Sequence, residues 1–196
     1  MKWPRIAFMA LILFGAWNWW SGREVVRPPG VTVAELPVQV ATAGGRTFTR
    51  NGYQLTALAS FEISARVLGA EHYRADREAQ IAPVDLALGW GRMSDTEVLR
   101  RIRISQSGRF YFWNTDDFPI PRREIEMYSA NMHMIPADDR IEAVLKSVRK
   151  GQLVTVRGYL VEARATDGWS WRSSLTRTDT GAGACELIWV ESMKIL

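Results

Sequence analysis

The residues able to do chemistry are few and lie far apart. The stretch SANMHMIPADDR, residues 129–140, holds Asn131 and His133, and Cys185 is the single cysteine of the chain. An imidazole that takes a thiol proton leaves a thiolate able to attack an electrophilic centre, and a nearby amide can orient the ring. His133 and Cys185 are therefore the candidate catalytic pair. The bland reading makes Cys185 a small apolar residue on a strand face shared with Leu187 and Trp189. A lone cysteine forms no internal disulfide.

A metal centre needs three or four ligands, and zinc favours cysteine and histidine. His72, His133 and Cys185 are the whole supply, with no paired spacing, so no metal and no cofactor is expected. The Ser-x-x-Lys string at Ser147–Lys150 falls at the end of a predicted helix, away from its positive N-terminal dipole, and has no Lys-Thr-Gly companion. No P-loop, dinucleotide fingerprint or Gly-x-Ser-x-Gly elbow occurs.

Binding has better candidates. Ser129, Asn131 and His133 alternate, so on a strand they share one face. In SSLTRTDTGAGACE, residues 173–186, Arg177 and Asp179 stand among hydroxyls, and two glycines free the backbone. Such a loop could hold a carboxylate or a sugar, or be a wide hairpin whose polar groups satisfy its own backbone. RRIRISQSGRFYFWN interleaves arginine with aromatics as single-strand nucleic-acid platforms do. It equally describes a solvated helix face, a turn and a core strand.

The elements that must position these residues follow from periodicity. From Tyr53 to Val67 apolar and polar residues alternate, which predicts a long strand, or two, with one wet face. Ser94 and Glu97 form a capping-box pattern ahead of a short helix over 95–103. PVDLALGWGRM holds a proline and glycines that break regular structure, whereas RFYFW and REIEMYSANMHMI read as strands. Asp138 to Arg149 is the main predicted helix, with Ile141, Val144, Leu145 and Val148 as its stripe, early aspartates and late basic residues. Three strands follow, joined by hairpins. The fold class expected is α+β: a mostly antiparallel curled sheet or OB-like barrel with one main helix, after an N-terminal transmembrane helix.

That N-terminal helix rests on MKWPRIAFMALILFGAWNWWSG, where Lys2 and Arg5 precede a run from Ile6 to Trp20 interrupted only by Asn18. As a helix, Trp3 to Ser21 spans roughly 28 Å, close to a bilayer core of about 30 Å. Tryptophans cluster at its far end, basic residues sit at its start, and small residues are missing where a leader would be cut. The formal charge of +4 is half accounted for by Lys2 and Arg5, which leaves little to attract an anionic partner. The organisation expected is a signal-anchor over 1–22, an extended tether with prolines over 23–50, and an exported domain over 51–196.

PVDLALGWGRMSD, ISQSGRFYFW, MIPADD and GWSWRSSLTRTDTGAGACELIWVE together resemble a group of bacterial membrane-anchored proteins with no assigned activity. The resemblance spans roughly Ile81 to Val190 and implies a single exported domain. The function expected is a membrane-anchored periplasmic binding or assembly domain without enzymatic activity, held in the bacterial inner membrane through residues 6–20. Its partner would be another envelope protein or a cell-wall component, and no nucleic acid. The competing class is an envelope-associated hydrolase or transferase using His133 with Cys185 or a serine.

Overall fold

The computed structural model describes residues 23–42, 45–176 and 185–196, with Ile6, Phe8, Met9, Leu11, Ile12 and Gly15 of the N-terminal segment, which are helical. Among the described residues no helix is long and apolar enough to cross a membrane.

The alternation that begins at Tyr53 produces a twenty-residue strand. Chain order is β1 (Val38–Ala41), β2 (Thr47–Arg50), β3 (Tyr53–His72), β4 (Val84–Gly89), α1 (Thr96–Leu99), β5 (Arg103–Ser107), β6 (Phe110–Asn114), α2 (Arg122–Met127), β7 (Ser129–Pro136), α3 (Asp139–Ser147), β8 (Leu153–Arg164), β9 (Ser170–Arg172) and β10 (Glu186–Ile195). The architecture is α+β, mostly strand, with a curled sheet.

Strand β3 pairs with β4, β4 with β7, β7 with β10, β10 with β8, and β8 with β3, so five strands close a circuit. Only β7 and β10 run parallel, and α3 is the helix between β7 and β8. Register shifts at Ala57/Ala59 and Val67/Gly69 bend β3, as a bulge does, so that one strand serves two neighbours. The first shift also exchanges faces. Phe61, Ile63 and Ala65 fill the main core with Leu86, Met132, Leu160 and Ile188, while Tyr53 and Leu55 belong to a second cluster with Ile135, Val161 and Leu187. Helix α3 contributes Ile141 and Leu145 to the main core, and Asp138 caps it by accepting from the Ile141 N–H.

Strands β5 and β6 form a separate hairpin. With Val98, Ile102, Ile120 and Ile125 it covers a third cluster against Leu68 and Ala87.

Three local expectations fail for identifiable reasons. VDLALG is a fully buried strand; with both faces covered it has no alternation to betray it. REIEM is helical, with Ile125 inward and an Arg122–Glu126 pair one turn apart. The helix expected over 95–103 is confined to α1, and Asp95 caps it by accepting from the Glu97 N–H. Ser94 instead accepts from the Thr32 and Val33 amides.

Those last bonds belong to the extended segment that begins at residue 23, which packs on the rest of the fold through residues 25–33. Val25 donates to the Lys150 carbonyl, Arg27 Nε to the Gly151 carbonyl, and Val33 is buried in the main core. Both β1 and β2 pair with β3.

Candidate functional site

Register decides which side chains meet. Asp85 of β4 lies directly opposite His133 of β7, and Ala87 opposite Asn131. The β5–β6 hairpin turns through Gly108 and Arg109, both at positive φ, 58° and 71°, as a two-residue turn matched to strand twist requires. Arginine is strained there, and its contacts hold it.

Those contacts are dense. Arg109 grips Asp76 through Nε at 2.9 Å and Nη2 at 2.7 Å, while Nη1 donates to Asp85 Oδ1 at 2.9 Å and the Ala82 carbonyl at 2.8 Å. Its guanidinium carbon lies 3.7 Å from the Tyr73 ring centroid. The Tyr73 hydroxyl accepts from the Arg109 backbone N–H, and Asn131 Nδ2 donates to the Arg109 carbonyl. Gln106 donates to Asn131 Oδ1, and Tyr111 and Ser129 hydroxyls pair at 3.0 Å. The Asp85 side chain has 0% exposure and Arg109 13%.

The electrostatics follow. Burial works against the Arg109 charge, but Asp76 and Asp85 outweigh it and raise its pKa. The Arg109 hydrogen bond holds the Asp76 carboxyl below its usual value. Burial raises the Tyr73 hydroxyl, and pushes that of Tyr111 up to about 12.

His133 is buried in this cluster. Its Nδ1 lies 2.9 Å from Asp85 Oδ1 but off the line of the ring N–H, a close polar contact without hydrogen-bond geometry. Its ring packs on Trp171 at 4.7 Å between centroids. The row Ser129, Asn131, His133 does share one face, and its partners are the β5–β6 hairpin, β4 and Trp171. Arg177 and Asp179 lie outside the described residues, as does most of their loop.

A cleft of about 640 Å³ opens beside the cluster, with Ser129, Asn131 and Cys185 in its lining. Phe110, Phe112, Trp113 and Phe118 line it too, and the three phenylalanines are exposed. His133 is not among the lining residues, so the cleft joins Asn131 to Cys185 and leaves the imidazole aside. Among the described residues no three of histidine, cysteine, aspartate and glutamate are grouped to hold a metal.

Sequence reasoning missed Asp76, Asp85, Arg109 and Trp171. One signal was present: a lone acid inside the apolar run VDLAL has to find a partner. Comparison with protein families, with curated proteins and with solved structures finds no match for this chain.

Proposed function

We propose that this chain is a membrane-anchored domain on the periplasmic side of a bacterial inner membrane, which binds or assembles with another envelope protein and catalyses no reaction. The observation that carries the binding reading is the aromatic cleft. Exposed Phe110, Phe112 and Phe118 around a floor held rigid by the internal bonds of Ser129 and Asn131 suit an apolar side chain of a partner. The anchor reading rests on the Ile6–Trp20 run behind Lys2 and Arg5. It is supported by the helical, exposed side chains of Ile6, Phe8, Met9, Leu11 and Ile12.

We read the five-strand circuit as an OB-like barrel. In such barrels oligonucleotides and oligosaccharides bind over the second and third strands, here β4 and β7. The β5–β6 hairpin covers that face through Gln106, Arg109 and Tyr111, which favours a protein partner on the hairpin over a nucleic acid on the strands.

Photo-crosslinking in cells tests the reading. A photoreactive residue at position 112 should capture a discrete envelope protein, and one at exposed Lys194 should not. Equal yields at the two positions sink the cleft. A reporter active only outside the cytoplasm, fused after residue 50, should be active. The second reading, an envelope-associated hydrolase or transferase using His133 with Cys185 or a serine, is favoured by the Asp85–His133 proximity. Loss of function in Cys185→Ser with the fold intact would select it over binding.

A further inference from the structure

Arg66 projects from the outer face of β3 and is 3% exposed. Its Nη1 donates to the Ser94 carbonyl at 3.1 Å and to Thr96 Oγ1 at 2.7 Å. An arginine has five N–H donors; those on Nε and Nη2 have no partner among the described residues, and no carboxylate lies within ion-pair distance. Neither nitrogen is among the buried atoms left without a partner, so both open onto the adjoining cavity, where an oxyanion could take their N–H groups.

Beside it is a cavity of about 220 Å³, lined by Arg66, Arg100, Lys150, Thr96 and Glu24 among apolar residues. Three cations face one acid. Arg100 also pairs outward with Glu97, and Glu24 bonds Lys150 at 3.1 Å. Glu24 comes from the packed N-terminal segment, so the cavity already draws a carboxylate from its own chain. Burial and, to a smaller extent, the Arg27 charge lower the Arg66 pKa, while Glu24 and Asp95 partly oppose this.

We propose that this cavity binds a phosphate-class oxyanion, held by Arg66, Arg100 and Lys150 with Glu24 as the internal competitor. Arginine suits the task because its planar fork matches two oxygens at once. The group could come from an anionic lipid headgroup or from a free phosphate ester. The lipid source rests on the anchored reading above, since Val25 and Arg27 bond Lys150 and Gly151 and would bring the cavity near the bilayer. The site itself does not.

The test uses the full chain in neutral detergent at fixed ionic strength, titrated with inorganic phosphate and, separately, with dihexanoyl phosphatidylglycerol. Melting midpoint and affinity are read together. Wild type should show a saturable rise in midpoint with at least one probe. Arg100→Gln, an exposed position whose unliganded midpoint should not move, should weaken binding about tenfold. Glu24→Gln should tighten it. Tighter binding of the lipid assigns the headgroup; tighter binding of phosphate assigns a free ester and removes the lipid source while keeping the site. The proposal is overturned if neither probe gives a saturable shift, if Arg100→Gln binds like wild type, or if Glu24→Gln leaves affinity unchanged.

Discussion

Replacing Arg109 by glutamine removes the cation on which Asp76 and Asp85 converge. Asp85 has no exposure and loses its 2.9 Å partner; stranding one member of a buried ion pair costs about 3–5 kcal/mol. Asp76 is about one-third exposed, so its pair adds little, about 0–1 kcal/mol. Stacking on Tyr73 at 3.7 Å adds about 1 kcal/mol. These contributions overlap, and about 4 kcal/mol is expected from urea unfolding at pH 7. Arg101→Gln, whose partner Asp117 is mostly exposed, should be nearly silent. The double variant Arg109→Gln with Asp85→Asn takes away the stranded charge and should be more stable than the sum of its parts. Asp76 adds a pH signature. Its folded pKa is depressed, so its contribution is present above the unfolded value near 3.8 and is lost as pH falls through the lowered folded value. Arg109→Gln should flatten that acid limb. A cost below about 1 kcal/mol, or strict additivity in the double variant, would refute the buried-cluster reading.

Tyr111, raised to about 12, has the opposite sign: its contribution holds below the unfolded value of 10.0 and is lost as pH rises toward 12. Alkaline unfolding curves should lose this limb in Tyr111→Phe. Leu145→Ala empties a fully buried position of α3 and should cost about 2–5 kcal/mol in a chemical melt; Val144, half-buried, should cost less. Glu142→Ala should be measurably destabilising in the same melt, because Glu142 bonds both Arg50 and Lys146. Gly151 sits at φ +85° with a Cβ position 2.0 Å from the Val25 carbonyl oxygen. Gly151→Ala should therefore free the Val25 amide, read as faster hydrogen exchange there with core amides unchanged.

The parts of the fold legible in the sequence were those with one wet face. Alternation from Tyr53 and the stripe from Ile141 each show a boundary between core and water, so β3 and α3 could be read from residue order. Strand β4 has no such boundary and vanished, taking Asp85 with it. The alternation of Ser129, Asn131 and His133 predicted a shared face correctly. Its partners could not be read, because they arrive from sequence-distant segments: Asp76 from the loop after β3, Arg109 from a hairpin, Trp171 from β9. Helix α2 was lost in REIEMYSANMHMI because Ile125 and Met127 alternate as in a strand, while a six-residue helix that buries Ile125 alone has no helical stripe to show.

The packed N-terminal segment also sets how the molecule would respond to mechanical load. A pull on residue 23 meets, in order, the Glu24–Lys150 ion pair, the Val25–Lys150 bond, Arg27–Gly151, Gly30–Asp95, and the Thr32 and Val33 amides on Ser94. These contacts fail one after another, in the manner of a zip, the first steps parting one or two bonds each and the last also withdrawing Val33 from the core. Strand β3, paired along most of its length with β8, is reached only after β1 and β2. The segment would thus act as a mechanical fuse, yielding at low tension and lengthening the link before the strand circuit feels any strain.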